Sequence, residues 1–266
     1  MKHWITTKIT LDVNKYETSR ILYKTRTVDS NGYTLDETEY DAESNVVCKR
    51  IYRYFDTGEV KEYIEYDPSD ELLERHIYSK DESGEICTQE MEFHGGEKTI
   101  KEFSFTDIGN ADKATIRDEN GEIIGYELYL LDESGRLQAE IELDSENNEI
   151  SKYERFFDDF DRLKHGKHYI DGNLSKMESF EYDSKGNVIK KEETNYIDNF
   201  TITENYEYDQ SNRMICNTSY QDGRLVFENN CEYDEFGDLI SEEFFELDYW
   251  GKQVVRHEKL IHEVQM

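Results

Sequence analysis

The stretch Tyr182-Asp183-Ser184-Lys185-Gly186-Asn187-Val188 has the composition of a tight turn between two β-strands. An aspartate at the first position of a type I turn can accept a hydrogen bond from the backbone N–H two residues later. A glycine three positions after it supplies the positive φ that leads the chain into a second strand. The stretch therefore predicts a β-hairpin, with the tyrosine and the valine packing beside the turn.

Copies of this stretch recur along the whole chain. The clear copies are residues 55–60, 131–137 and 233–239, and the looser ones are residues 28–32, 80–86, 117–123 and 221–225. In residues 208–212 an asparagine, which also tolerates positive φ, stands where the others have glycine. We expect the turns to depend on the following structural positions: Asp56, Gly58, Asp132, Gly135, Asp183, Gly186, Asp222, Gly223, Asp234 and Gly237.

The turn aspartates follow one another at intervals of 11 to 15 residues, with residues 93–96 filling one wide gap. Each interval has room for one strand and one turn, so one hairpin is expected in roughly 26 residues. These aspartates are Asp29, Asp41, Asp56, Asp67, Asp81, Asp107, Asp118, Asp132, Asp144, Asp158, Asp171, Asp183, Asp198, Asp209, Asp222, Asp234 and Asp248.

The pattern predicts an all-β fold, an elongated and curved or spiralling antiparallel meander of about 18 strand-turn units. With one proline, Pro68, and no linker-like run, the 266 residues are expected to form one continuous domain. It would comprise entry cap strands in residues 1–27, repeats in residues 28–251 and a cap strand in residues 252–266. Glu62 and Glu204 interrupt otherwise apolar strand faces, which predicts a thin sheet without a thick core.

The chain is strongly acidic, with 62 Asp and Glu against 31 Lys and Arg and a net charge of −31. Basic residues are concentrated near the two termini. Such a charge disfavours direct binding to nucleic acids and anionic membranes. It is compatible with docking of a basic protein, but a solvated surface that keeps exposed strands from aggregating is the simpler interpretation. Edge strands at the two ends of an open sheet would allow self-association.

Motifs for catalysis, metals and cofactors are weak, so we expect a protein that is not an enzyme and needs no cofactor or metal. Residues 257–262, His-Glu-Lys-Leu-Ile-His, resemble a zinc-protease motif, but the histidines are five apart and not four. His165 and His168 lack a third ligand nearby in the sequence. Cys216 and Cys231 flank the Gly223 turn symmetrically and could face each other, although as thiols in a reducing compartment.

The absence of a signal-peptide pattern at the N-terminus predicts a cytoplasmic protein. No run of residues is apolar and long enough for a transmembrane helix.

The Tyr-Asp-x-x-Gly-x-aliphatic unit, as in residues 182–188 and 233–239, resembles the YD repeats of the rearrangement-hotspot (RHS) family across roughly residues 28–251. The resemblance implies a bacterial protein with a spiralling β-sheet and a binding or encasing role, since family members are often parts of toxin and surface systems. The Gly-Arg-aliphatic form of the unit occurs here only at residues 135–137 and 223–225, and the chain is short for a closed shell.

Three functions are compatible with these features. The first is a non-catalytic interaction module with an acidic repeat surface, such as an immunity or antitoxin-like protein that neutralises a basic toxin or nuclease. The second is an inhibitor that mimics nucleic acid through rows of carboxylates. The third is a carbohydrate-binding or cell-surface repeat protein that uses its aromatic residues.

Overall fold

The computed structural model describes residues 1–12, 15–105, 111–247 and 254–265. These residues form twenty β-strands. Among them no helix is long and apolar enough to cross a membrane. The strands are β1 Lys2–Leu11, β2 Glu17–Val28, β3 Thr34–Tyr40, β4 Val46–Tyr54, β5 Val60–Tyr66, β6 Leu72–Lys80, β7 Ile86–Phe93, β8 Lys98–Phe105, β9 Ala111–Asp118, β10 Ile123–Leu131, β11 Leu137–Asp144, β12 Glu149–Phe157, β13 Leu163–Ile170, β14 Asn173–Tyr182, β15 Val188–Asn195, β16 Phe200–Tyr208, β17 Met214–Gln221, β18 Arg224–Tyr233, β19 Leu239–Leu247 and β20 Val254–Gln265.

The sheet is an antiparallel meander that closes on itself. Each strand pairs with its neighbours in sequence, and β1 also pairs with β20, with His3 opposite Gln265 and Thr10 opposite Glu258. The prediction of an all-β antiparallel fold is confirmed. The prediction of an elongated or spiralling sheet is wrong, because β1 and β20, from the two expected caps, pair and form a closed barrel. The free edge strands on which self-association was to depend therefore pair with each other.

The barrel is wide and has no conventional core. Its accessible surface is 16315 Å², whereas a compact monomer of this mass would expose about 12,000 Å². Among the described residues no large side chain is fully buried, and Ala114 is the one with 0% exposure. A closed sheet of about twenty strands is wide enough to surround an aqueous interior. The described residues therefore form a single layer of sheet, in which each strand is stabilised by its two neighbouring strands.

Most hairpins contain a β-bulge at the second residue of the new strand. Tyr40 pairs with Val46 and Glu39 with Cys48, so Val47 between them has no partner and is 46% exposed. Aliphatic residues occupy the same bulged position at Leu73, Ile124, Ile150, Ile189, Ile215 and Ile240. A bulge bends its strand and increases the local twist, so its regular repetition adds curvature that closure requires.

Two carboxylates that interrupt apolar strand faces have polar partners. Glu62 is 6% exposed and lies between Arg53 and Arg75, whose Nε donates to Glu62 Oε1 at 2.8 Å. Glu204 lies opposite Lys191 in the register of β15 and β16, and accepts a hydrogen bond from the Tyr206 hydroxyl at 3.0 Å. Burial and this carboxylate raise the pKa of Tyr206 to about 12. Such paired polar side chains within the strands agree with the predicted thin sheet, which has no thick apolar core.

Cys216 and Cys231 do not face each other, contrary to the expectation from their spacing. Cys216 lies opposite Asn230, one residue away from Cys231, because the two-residue turn pairs Gln221 with Arg224 and the single bulge, between Ser219 and Tyr220, advances the partner by only one residue. Successive residues of a strand point to opposite faces, so the two thiols lie on different faces of the sheet. All four cysteines are free.

Candidate functional site

The turns form two rims, one at each end of the barrel, because antiparallel strands alternate in direction. We call the end that follows the even-numbered strands the tyrosine rim; its described turns are residues 29–33, 55–59, 81–85, 132–136, 158–162, 183–187, 209–213 and 234–238. We call the other end the opposite rim; its fully described turns are residues 41–45, 67–71, 94–97, 119–122, 145–148, 171–172, 196–199 and 222–223. Every described turn of the tyrosine rim has five residues, whereas those of the opposite rim have two to five.

On the tyrosine rim the predicted turn chemistry is present at Asp183. Its Oδ1 accepts hydrogen bonds from the backbone N–H groups of Lys185 at 2.8 Å and Asn187 at 2.9 Å. Gly186 donates its N–H to the Asp183 carbonyl at 3.2 Å and has a φ of +92°. The same arrangement occurs at Asp132 with Gly135 and at Asp234 with Gly237.

Two of the predicted turns differ from this pattern. In residues 55–59 the first turn position belongs to Phe55, whose carbonyl accepts the Gly58 N–H at 2.9 Å, so Asp56 takes the second position. Asp222 and Gly223 form a two-residue turn on the opposite rim, with φ values of 50° and 76° typical of type I′. Asp107, Asp248 and the boundary at residues 251 and 252 lie outside the described residues.

Tyrosines immediately before the turns tie neighbouring hairpins of the tyrosine rim together. The Tyr182 hydroxyl donates to the Leu163 carbonyl at 2.6 Å, and the Tyr208 hydroxyl donates to the Val188 carbonyl at 2.9 Å. Tyr54 and Tyr233 make the same bond to Thr34 and Met214 at 2.8 and 2.9 Å. Each acceptor is the first residue of a strand, next to a bulge. The tyrosine of the repeat therefore links one hairpin to the previous one on the same rim.

Arginines at the fifth turn position extend this link. Arg162 Nε donates to Asp158 Oδ2 at 2.8 Å, while its guanidinium carbon lies 4.4 Å from the centroid of the Tyr182 ring. The hydrogen bond from Arg162 is the main cause that lowers the pKa of Asp158 to about 2. Arg136 and Arg213 repeat the arrangement over Phe157 and Tyr233, each at 4.7 Å.

Sequence reasoning missed two of these three arginines. It searched for arginine after glycine, whereas Arg162 follows Asp161 and Arg213 follows Asn212, both at positive φ. The signal that would have found them is an arginine four residues after the turn aspartate, whatever residue precedes it.

The rims carry most of the uncompensated charge. Residues between strands include half of the 62 carboxylates but only six of the 31 Lys and Arg. On the tyrosine rim, two aromatic side chains at the third turn position are highly exposed, Phe160 at 77% and Phe236 at 84%. On the opposite rim the most exposed aliphatic side chain of a turn is Ile197, at 67%.

A cavity of about 470 Å³ lies where the barrel closes. Its walls come from β1, β2, β3, β18, β19 and β20 and from the turn between β18 and β19. Trp4, Tyr23, Tyr233, Leu239 and Leu260 form its apolar part. A chain of polar groups crosses one wall: His262 Nδ1 lies 3.0 Å from Thr6 Oγ1, and His262 Nε2 lies 3.3 Å from Glu242 Oε2. His262 lowers the pKa of Glu242.

A second cavity, of about 280 Å³, lies on the sheet between β10 and β13. Its walls include Tyr129, Tyr153, Glu140 and Glu142. The Tyr129 hydroxyl donates to Glu127, and the Tyr153 hydroxyl donates across β13 to Glu178. Burial and then these carboxylates raise the pKa of both tyrosines, so the rings remain neutral and fixed in place.

The histidines of the two weak motifs are separated by the strands that carry them. His165 and His168 lie on β13, three positions apart, and His257 and His262 lie on β20, five positions apart. Because alternate residues of a strand point to opposite faces, the two histidines of each pair lie on opposite faces of the sheet. Within the described ranges no group of three or more His, Cys, Asp or Glu side chains is arranged to hold a metal ion.

No protein-family model matches the chain, and no curated protein matches it. Among solved structures, it is similar to a chain in the TcdB2-TccC3-Cdc42 crystal structure, with 12% identity and a TM-score of 0.36 over 96% of this chain. A chain in the TcdB2-TccC3 crystal structure gives 10% identity and a TM-score of 0.33 over 86%. This protein spans 18% of each of those chains.

A porin-like protein from Bacteroides uniformis ATCC 8492 gives 10% identity and a TM-score of 0.41, with 98% of this chain and 96% of that one covered. At these TM-scores the similarities are too loose to assign a family or a function. The geometry of the barrel itself carries the functional proposal.

Proposed function

We propose that this protein is a non-catalytic binding module whose acidic tyrosine rim docks a basic protein. The observation that carries the proposal is the separation of charge. Many carboxylates within the strands have cationic neighbours, as Glu62 has, whereas those at the second position of the tyrosine-rim turns have none among the described residues. The latter are Asp56, Glu82, Glu133, Asp159 and Glu235, all of them exposed. A partner with a basic surface would neutralise them and associate rapidly at low salt.

Phe160 and Phe236 supply the apolar contacts that such a surface needs. Binding energy in interfaces is concentrated in a few aromatic anchors surrounded by polar residues. Each phenylalanine lies beside an acidic side chain of the same turn, Asp159 or Glu235. The resemblance to YD-repeat proteins agrees with a binding role, and a toxin or nuclease neutralised by this protein would be one partner of the expected charge.

The test is affinity capture from lysate of the native cell at low and at moderate salt, with identification of the retained proteins. We expect the wild-type barrel to retain a basic protein at low salt and to release it as salt screens the charges. A variant with Glu133→Gln, Asp159→Asn and Glu235→Gln should lose that protein, and a Phe160→Ser, Phe236→Ser variant should retain less of it.

The opposite rim offers matched controls. Glu43→Gln, Glu119→Gln and Glu146→Gln remove three exposed carboxylates there, and Ile197→Ser removes an exposed apolar side chain. Both variants should retain the partner. Equal losses from the two rims would contradict docking on the tyrosine rim, and retention of no basic protein would contradict the proposed function.

A second candidate, carbohydrate binding, is favoured by the cavity that contains Tyr129 and Tyr153. Aromatic platforms beside carboxylates suit sugar rings with their hydroxyl groups. Binding there should change little with moderate salt, because the ligand is uncharged. A glycan array with a Tyr153→Ala control would show specific, salt-insensitive binding if this candidate is correct.

A further inference from the structure

Among the described residues, the repeat of the tyrosine rim is interrupted where β20 pairs with β1. Between the turns at residues 234–238 and 29–33 these two strands are neighbours, and no described turn connects them. The link to the next hairpin is therefore missing there. At the fifth turn position, where three of the other described turns have an arginine (Arg136, Arg162 or Arg213) and two have a glutamate, this turn has Asp238.

The cavity of about 470 Å³ lies at this gap, and a neighbouring cavity of about 360 Å³ shares three of its residues, Trp4, Arg26 and Asp238. Arg26 has no ion pair among the described residues; its guanidinium carbon lies 5.8 Å from the Trp4 ring centroid. The Asp238 carboxylate likewise has no described hydrogen bond or ion pair, although its backbone N–H donates to Asp234. Among the described residues, Arg26 and Asp238 thus present an unpaired cation and an unpaired carboxylate to the same space.

The other charged groups of the larger cavity are already paired. Lys24 forms ion pairs with Glu37 at 2.9 Å and Glu39 at 3.0 Å, and Glu242 is bound to His262. Lys2, which lines the smaller cavity, is exposed and has no ion pair within the described chain. Arg26, supported by Lys2, therefore remains for an anionic group of a ligand, and Asp238 remains for a cationic group.

We propose that this gap binds a free α-amino acid with an apolar side chain. Its carboxylate would accept hydrogen bonds from Arg26, its ammonium group would donate to Asp238, and its side chain would pack against Trp4, Leu239 and Leu260. Unlike an ion or a hydrocarbon, such a zwitterion satisfies both free charges together with the apolar wall. The site is independent of the partner proposed for the rim.

The test compares L-phenylalanine with 3-phenylpropionate, which lacks the ammonium group, and 2-phenylethylamine, which lacks the carboxylate. Binding is measured by calorimetry and by the fluorescence of Trp4 in a Trp250→Phe background, since the chain has two tryptophans. Each charge-assisted hydrogen bond should contribute about tenfold in affinity, so each analogue should bind at least about tenfold more weakly than phenylalanine.

Two variants assign the contacts. Arg26→Gln should remove the preference for phenylalanine over 2-phenylethylamine, and Asp238→Asn should remove the preference over 3-phenylpropionate. Lys61→Gln is the matched control, because Lys61 also has no ion pair and lies 5.9 Å from an aromatic ring, that of Phe55. Unchanged thermal unfolding would show that the variants fold. Equal binding of the three compounds, or no binding at millimolar concentrations, would overturn the proposal.

Discussion

The two rims connect neighbouring hairpins in different ways. On the tyrosine rim, side chains make the links, as in the bond from Tyr182 to the Leu163 carbonyl and the stacking of Arg162 on Tyr182. On the opposite rim, backbone groups make many of them: the N–H of Asp171 donates to the Ile150 carbonyl at 3.0 Å, and that of Tyr196 donates to Ser175 at 2.9 Å.

This difference accounts for the constant length of four tyrosine-rim turns, residues 29–33, 158–162, 183–187 and 209–213, each of which is followed by a carbonyl that accepts a tyrosine hydroxyl. A tyrosine hydroxyl reaches its acceptor only if the turn and the bulge before it keep a fixed geometry, so five residues recur. A backbone N–H at the start of a turn needs no particular side chain or loop length. Sequence repetition is therefore required on one rim and relaxed on the other, and the variants below test that distinction.

The largest effect is expected from removing the tyrosine hydroxyls of one rim. Tyr182→Phe, Tyr208→Phe and Tyr233→Phe each remove one hydrogen bond worth about 1 kcal/mol, so the triple variant should lose about 3 kcal/mol of unfolding free energy. Denaturant unfolding measures this. Tyr66→Phe on the opposite rim, whose hydroxyl has no described partner, should leave stability unchanged; an equal loss there would abolish the distinction between the rims.

The second-largest loss of stability is expected on the opposite rim, at Asp222. Asp222 Oδ1 accepts the Thr201 N–H at 2.9 Å, and the Asp222 N–H donates to the Thr201 carbonyl at 2.8 Å. Asp222→Ala removes the first bond and places alanine at positive φ, so we expect a loss of about 2 kcal/mol. Asp222→Asn keeps an acceptor and tolerates this φ, and should cost less. If both variants were equally destabilised, the carboxylate charge and not the hydrogen bond would be responsible.

A smaller effect of opposite sign is expected at Ser44. This residue occupies the fourth position of a turn on the opposite rim with a φ of 65°, where the turn at residues 183–187 has Gly186. Ser44→Gly should relieve the left-handed strain and stabilise the protein by about 1 kcal/mol. Ser184→Gly, at a turn position without positive φ, should instead destabilise slightly through chain entropy. Thermal unfolding of the two variants separates these outcomes.

The smallest effect is expected from acid. The folded-state pKa of Asp158 is about 2, below the ordinary value of 3.8, because Arg162 and turn N–H groups bind its ionised form. Its ionised form therefore stabilises the fold above pH about 4, and that contribution disappears as the pH falls towards 2. The thermal midpoint should fall over this range, and Asp158→Asn should weaken the dependence. A midpoint that does not change between pH 4 and pH 2 would contradict the role of the turn aspartates.

Much of the fold could be predicted because the signals are local. A turn aspartate, a residue with positive φ and an aliphatic residue beyond it lie within seven positions, so the hairpins at Asp132, Asp183 and Asp234 are visible in the sequence. The ladder of Arg136, Arg162 and Arg213 was only partly visible. Each arginine acts on an aromatic ring about twenty residues away, and that distance is set by strand length and bulges.

The sequence by itself determined the strands, their turns and their antiparallel order, since these depend on contacts between residues close in the chain. The tertiary structure decided closure, the register that separates Cys216 from Cys231, and the cavity around Trp4, Arg26 and Asp238. Closure depends on the twist and bulge of every strand added around the barrel, so no single segment encodes it. It brings β1 beside β20, which are far apart in the sequence, and thereby creates a break in the repeat of the tyrosine rim.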